Sequence, residues 1–478
     1  MELERVIAAL APRTVIARAP TEVRDLAYAA GCVEPGALFF CVPGTRADGH
    51  DFAPDAVTRG AVALVVERPL ELPVPELVVD DARAAMAVAA DAFFDEPTRE
   101  LQVAGVTGTN GKTTTAHLVY AILAAAGRRP GLLGTIEARV AGERRPVVRT
   151  TPEAIDLQRT FREMLDAGDR SCAMEASSHA AELRRLDRVR FSCLVFTNLS
   201  QDHLDFHGTM ARYFDAKRGL FLGDGPPPAA INVGDEWGRR LAAERPDALT
   251  FGTALRARIG PDALSGVDLR LPGRFNAENA LGALAAARLL GVDEAAIVRG
   301  LESVRSVPGR FEPVDEGQPF RVIVDYSHKP GAVEAVLRSL RPVTQGNLII
   351  VLGCGGDRDR AKRPMMGAAA ASLADVAILT SDNPRSEDPL AILAAMLDGV
   401  LGVPVAERAR VIIEPDRAAA IGQAVALAAP GDVIVVAGKG HETGQYVGGS
   451  VLPFDDRQVT AAALAARAPA FEPWAVNR

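Results

Sequence analysis

Short apolar runs alternate with helix-like stretches along most of the chain, the signature of helices layered on largely parallel sheets. The first runs are ALFFCV (Ala37 to Val42), AVALVVE (Ala61 to Glu67) and ELVVDD (Glu76 to Asp81), followed by a helical stretch from Ala82 to Phe94 and a break at Asp95-Glu96-Pro97-Thr98. A second series opens with LQVAGV (Leu101 to Val106), crosses a glycine-rich turn and enters a helix whose Leu118, Val119, Ile122, Leu123 and Ala126 share one face. Gly127 stops that helix. Further strands are predicted at CAMEAS (Cys172 to Ser177) and FSCLVFTNL (Phe191 to Leu199), with GDGPPP (Gly223 to Pro228) as a surface turn and an end near Pro308-Gly309. The third series is FRVIVDY (Phe320 to Tyr326), NLIIVLG (Asn347 to Gly353), ADVAILT (Ala374 to Thr380) and DVIVVAG (Asp432 to Gly438). That alternation predicts a Rossmann-like doubly wound sheet with ligand sites at strand C-termini.

These breaks predict an α/β protein of three domains: residues 1–98, residues 99–307 around a parallel sheet of the P-loop ATPase type, and residues 308–478. With 478 residues and 48% hydrophobic content, the chain can bury several cores. A net charge of −8 without a long basic run argues against nucleic acid and anionic membrane surfaces as partners. Five scattered cysteines without a CxxC pair disfavour a disulfide framework and a zinc site. No apolar run approaches the roughly 20 residues of a membrane span. The first residues, with charges at Glu2, Glu4 and Arg5, do not resemble a signal peptide, so a cytoplasmic location is expected.

The strongest chemical signal is VTGTNGKTT (Val106 to Thr114) between a predicted strand and a predicted helix. Glycines there let backbone N–H groups approach phosphate oxygens, and the helix N-terminus adds partial positive charge. Lys112 is expected on terminal phosphates and Thr113 on Mg2+, with Gly108, Thr109, Asn110, Gly111 and Thr114 completing the loop. Val106 occupies the position of the first glycine of the usual template, and Gly105 lies one residue earlier. The bland alternative is a glycine-rich turn without a ligand. Glu175, at a predicted strand end, could complete a Mg2+ site or simply be an exposed acid.

TGTNGKTT resembles the loop of the Mur ligase family, and further matches follow in order across nearly the whole chain. NLSQDHLDFHGTMARYFDAK (Asn198 to Lys217) resembles a family block in which the lysine matching Lys217 carries a carbamate made from CO2. That group and the histidine matching His203 help hold a second Mg2+ there. The resemblance implies ATP as substrate, two Mg2+ sites, and a UDP-MurNAc-L-Ala-D-Glu carboxylate activated as an acyl phosphate. Thr150, Thr151, Ser177 and Arg185 match positions that hold this muramoyl dipeptide, while Leu183 stands where the family has glutamine. In the first domain Tyr28 to Gly31 replaces a usual DSR triplet, leaving Tyr28, Ala30, Thr45, Arg46 and Ala47 as the implied uridine contacts.

GRFNAENAL resembles a family block, which implies Asn276 and Asn279 near adenine, although an asparagine-rich helix cap is the plain alternative. GRF, VDYSHKP and GCGGDRDRAKRP resemble the family's C-terminal elements, a resemblance that implies Arg310, Asp325 and His328 over the nucleotide and Arg358 on a carboxylate, although GCGG alone also reads as a dinucleotide loop. DNPR (Asp382, Asn383, Pro384, Arg385) matches the form of members that accept meso-diaminopimelate, where a guanidinium reads the additional carboxylate. Gly438 and Glu442 of GKGHE match contacts to the distal ammonium. A monomer is the family expectation. Two rival readings stay open: a lysine-adding or folyl-polyglutamate ligase of this fold, and a P-loop NTPase switch that hydrolyses ATP without an amine acceptor.

Overall fold

The computed structural model describes residues 1–44, 47–223, 225–253 and 257–467. Its fully buried aliphatic runs form the centres of three sheets, as expected for strands covered on both faces. The first has the order Thr14–Ile16, Glu76–Val78, Ala63–Val66, Ala37–Phe40, Asp25–Ala27, parallel except for the antiparallel edge Thr14–Ile16. Separate buried clusters cover its two faces.

The eight-stranded central sheet has Gln102–Thr107 between Phe191–Phe196 and Ser171–Glu175, all parallel. Its one antiparallel part is the end formed by Ala138–Val140 and Glu143–Arg145, a hairpin the apolar pattern did not mark. Gly105 proves to be a packing glycine inside the strand rather than part of the loop. A Cβ there would stand 2.6 Å from the Phe191 ring and 2.7 Å from Leu194. The helix Lys112–Ala125 ends where expected, with Gly127 in the left-handed region at φ +72°.

The third sheet runs Glu312–Pro313, Arg321–Asp325, Val433–Ala437, Leu348–Cys354, Val376–Ser381, Arg410–Ile413, parallel apart from Glu312–Pro313. Helices lie on both faces, each over its own apolar cluster. Strands are trimmed relative to the apolar runs: the one beginning at Phe191 ends at Phe196, because Thr197 and Asn198 leave the ladder to bond the glycine-rich loop. Thr107, Glu175, Asp325, Ser381 and Ala437 are the last residues of parallel strands, where ligand sites gather in such sheets. No helix among the described residues is long and apolar enough to cross a membrane.

Candidate active site

The turn after Gln102–Thr107 is held from the neighbouring strand end. The Thr109 amide donates to the Asn198 carbonyl at 2.8 Å, the Asn110 amide to Asn198 Oδ1 at 3.0 Å, and the Thr197 hydroxyl to the Asn110 carbonyl at 2.7 Å. Gly108 and Gly111 have φ of +141° and +84°, and a Cβ at either would collide with Thr197 Oγ1 or Asn279 Oδ1. Two loop amides are thus tied to Asn198, and the N–H groups of the first helical turn, which have no intrahelical acceptor, are the ones left for an anion. Lys112 opens the helix and donates to the Gly108 and Thr109 carbonyls, each at 3.0 Å. Burial, aided by nearby Lys329, pushes its pKa down to about 8.

A cavity of about 740 Å3 opens over this turn. Thr109 to Thr114 form its floor, and Glu175, His203 and Lys217 also line it. Glu175 is buried at its strand end and accepts from the Thr135 amide at 2.7 Å and hydroxyl at 3.1 Å. The Thr113 hydroxyl accepts from Arg310 Nη2 at 3.1 Å. Lys217 is only 1% exposed, and its Nζ donates to the Gly108 carbonyl at 2.9 Å. Burial and then Lys112 hold its pKa well below the ordinary lysine value, which favours a neutral, nucleophilic amine. His203 Nε2 lies 2.9 Å from Asp202 Oδ2, which Lys329 Nζ also approaches at 2.6 Å. Burial would raise the Asp202 pKa, but Lys329 and His203 outweigh it and keep the carboxylate ionised. The Thr113 hydroxyl and the Glu175 carboxylate offer the oxygen donors that a hard divalent cation takes, and His203 and Lys217 line the same cavity.

Thr150, Thr151, Ser177 and Arg185 line the same cavity. Thr151 Oγ1 donates to the Glu175 carbonyl at 2.7 Å and accepts from the Ser177 amide at 3.2 Å. Arg185 pairs with buried Glu153 at 2.9 Å and donates to the Thr151 carbonyl at 3.2 Å. Leu183 caps the short helix Ser178–Glu182 and does not line the cavity. Asn276 and Asn279 lie in the first turns of the buried helix Arg274–Leu289, where Asn279 Nδ2 donates to Asn276 Oδ1 at 3.1 Å. The third sheet supplies Arg310, Asp325 and His328 to the cavity wall. Asp325 is occupied within its own loop, accepting from the Phe311 amide at 2.7 Å and the Ser327 amide at 2.8 Å. Burial keeps His328 neutral, and its Nδ1 lies 2.8 Å from the Tyr326 carbonyl.

Three residues in turns and loops beside the first sheet do not reach the cavity: Tyr28, Ala30 and Ala47. Tyr28 instead donates its hydroxyl to Asp156 at 2.7 Å, beside the Arg159–Asp25 ion pair, so it joins the first layer to the second. Thr45 and Arg46 lie outside the described residues.

A second polar cluster sits at the C-terminal ends of Val376–Ser381 and Val433–Ala437. Arg358 is exposed and touches the main cavity, whereas Asp382, Asn383, Pro384, Arg385, Gly438 and Glu442 do not line it. Asn383 donates to Glu442 Oε2 at 2.8 Å, and Arg385 donates to the Gly356 carbonyl at 2.6 Å. Gly438 has φ +118°, and a Cβ there would stand 3.0 Å from Asp382 Oδ2.

Three family models match in sequence: Mur ligase family catalytic domain at residues 28–118, Mur ligase middle domain at 106–287, and Mur ligase glutamate ligase domain at 309–440. A Streptomyces coelicolor protein named UDP-N-acetylmuramoyl-L-alanyl-D-glutamate--2,6-diaminopimelate ligase is 48% identical over 471 residues, 93% of this chain and 92% of its own. The chain belongs to the Mur ligase family. A Geobacillus thermodenitrificans protein of the same name is 46% identical over 91% of this chain and 93% of its own. A solved structure with that name aligns at a TM-score of 0.65 and 31% identity, covering 94% of this chain and 97% of the other. The fold extends to MurF ligase from Thermotoga maritima in complex with ADP, at a TM-score of 0.59 and 19% identity, covering 93% of this chain and 96% of that one.

Several polar residues of this Mur ligase escaped the sequence reading. Lys329 and Asp202 meet across the junction of the second and third sheets, although they are 127 residues apart in sequence. Arg417 is buried, bonds Asp456 twice at 2.7 Å, and donates to the Ser381 carbonyl at 3.3 Å and the Ala437 carbonyl at 2.9 Å. Nothing in RAAAIGQ or DDRQV distinguishes this pair from surface charges. Lys439 was within reach, since it lies inside GKGHE.

Proposed function

We propose that this chain is an ATP-dependent ligase that adds meso-diaminopimelate to the γ-carboxylate of D-glutamate in UDP-MurNAc-L-Ala-D-Glu, a cytoplasmic step of peptidoglycan precursor synthesis. The observation that carries the reading is the single cavity shared by the loop Thr109–Thr114, the dipeptide-side group Thr150, Thr151, Ser177 and Arg185, and Arg310, Asp325 and His328 from the third sheet. One space lined by all three sets suits a carboxylate meeting a nucleotide's terminal phosphate. A hydrolytic switch gives no reason for the second and third of these sets. The names carried by relatives at 46–48% identity support the particular substrates.

In this reading residues 1–98 hold uridine, residues 99–307 hold ATP, and residues 308–478 deliver the amino acid. Lys112, Arg310 and Lys329 bring positive charge to the polyphosphate, while Asn276 and Asn279 border the adenine. A γ-carboxylate oxygen attacks the γ-phosphorus and ADP leaves. The neutral amine of diaminopimelate then attacks the acyl carbon, phosphate departs with the carboxylate oxygen, and an amide remains. Lys112 and its neighbours stabilise the charge that develops on the transferred group. Thr113, Glu175, His203 and Lys217 would hold two Mg2+ ions, which when bound neutralise the triphosphate and the carboxylate. Lys217 is the carbamylated lysine: its neutral Nζ adds to CO2 and loses a proton. Arg385 and Arg358 read carboxylates of diaminopimelate, with Asp382, Asn383, Pro384, Gly438 and Glu442 framing its distal amine. All of these but Arg358 lie outside the main cavity, so a hinge movement of the third unit completes the site. The enzyme works as a monomer.

Phosphate release from ATP with UDP-MurNAc-L-Ala-D-Glu, compared with meso-diaminopimelate, L-lysine or no amine, tests the proposal when product mass is also measured. Turnover with diaminopimelate and a tripeptide product is expected. Preference for lysine would overturn the specificity, and amine-independent hydrolysis would favour a switch.

A further inference from the structure

Lys439 carries a cation that no step above uses. It is 0% exposed, and it sits between Gly438 and Gly440, whose φ values are +118° and +54°. A buried ammonium is tolerated only when its donors are paired. Its Nζ lies 2.9 Å from Asn383 Oδ1, 3.1 Å from Glu442 Oε2 and 3.7 Å from Asp382 Oδ1. Because Asn383 Oδ1 faces Lys439, its Nδ2 faces Glu442 and donates to Oε2 at 2.8 Å. One oxygen of Glu442 is therefore committed twice within the protein, leaving Oε1 for a ligand. The Glu442 side chain is 28% exposed and so within reach of one.

We propose that Lys439 is a specificity-determining, positioning residue that brings the charge at the distal end of the amino-acid pocket to zero, and so selects a distal group that is itself a zwitterion. The inference rests on reading this cluster as the diaminopimelate site. Around the distal carbon Asp382, whose ionised form Arg417 and Lys439 favour against burial, and Glu442 contribute two negative charges, and Lys439 and Arg385 two positive ones, while Arg358, exposed at the main cavity, is left to the other carboxylate. The Arg417–Asp456 pair beneath them is neutral by itself. The distal carbon of meso-diaminopimelate bears an ammonium and a carboxylate, matching a neutral pocket with separated charges. The distal end of L-lysine is a lone cation, and that of 2-aminopimelate a lone anion. Without Lys439 the pocket carries one surplus negative charge, which suits lysine and opposes 2-aminopimelate. A role confined to packing would move both analogues in the same direction.

The test is kcat/KM for meso-diaminopimelate, L-lysine and 2-aminopimelate in the native enzyme and in K439M, K439Q and E442Q, with KM for ATP measured alongside. In both Lys439 variants the lysine-to-diaminopimelate ratio should rise by about tenfold or more while the 2-aminopimelate ratio falls, with KM for ATP unchanged. E442Q, at a partly exposed position, should shift both ratios the opposite way, and it carries the test if the Lys439 variants do not fold. Ratios that stay constant, or that move together, would overturn the role of Lys439. A native enzyme without preference for diaminopimelate would instead overturn the reading of the pocket.

Discussion

His441 stands next to the Gly309 turn, where a Cβ on Gly309 would collide with the His441 amide. Burial, then the Arg310 guanidinium, pushes its pKa from the ordinary 6.5 down to about 3. Between those values the unfolded chain binds a proton that the folded chain does not, so this histidine makes the fold less stable as pH falls below about 6.5. H441Q should therefore lose less melting temperature than the native protein between pH 7 and pH 4.5. Thermal melts at the two pH values check this, and equal losses would contradict it. At this scale the sequence was most legible where a motif concentrates chemistry in few residues. Thr109 to Thr114 line one cavity with Glu175, His203 and Lys217; the loop was legible from its own residues, whereas His203 and Lys217 stood out only through the resemblance of the block Asn198 to Lys217. Tyr28 was less legible, because its contact, Asp156, lies 128 residues away on the helix Ala154–Asp166.

Between elements, the Arg417–Asp456 pair ties the ends of Val376–Ser381 and Val433–Ala437, the strands on either side of Leu348–Cys354, to the helix Asp456–Ala466. Removing one partner of a buried pair leaves an uncompensated charge and typically costs about 3–5 kcal/mol. R417M should lower the urea midpoint sharply, and the double variant R417M/D456L should recover much of that loss because neither charge remains. A double variant at least as unstable as the sum of the single ones would contradict this account. Strands were readable because parallel strands buried on both faces become continuous aliphatic runs, as in Leu348–Cys354. The hairpin Gly444–Val447 with Ser450–Pro453 left no such trace, since most of its residues are exposed. It nevertheless holds the Arg385 loop, whose amide donates to the Tyr446 carbonyl at 2.8 Å.

Across the whole molecule, the C-terminal strand ends of the second and third sheets face a common space, joined by Arg310 to Thr113 at 3.1 Å and Lys329 to Asp202 at 2.6 Å. Such a junction suits a reaction in which a group activated in one unit is attacked by a nucleophile carried by another. The order of sheets followed from the apolar pattern. Which residues meet between the sheets did not, because no periodicity encodes a contact across a hinge. In the proposed reaction phosphate passes to the substrate carboxylate before the amide forms. The most direct measurement of that transfer uses UDP-MurNAc-L-Ala-D-Glu labelled with oxygen-18 in the γ-carboxylate, with meso-diaminopimelate and ATP, followed by mass analysis of the released phosphate. One labelled oxygen per phosphate, with the other retained in the amide, is the expected result. Unlabelled phosphate formed alongside product would contradict the acyl-phosphate route.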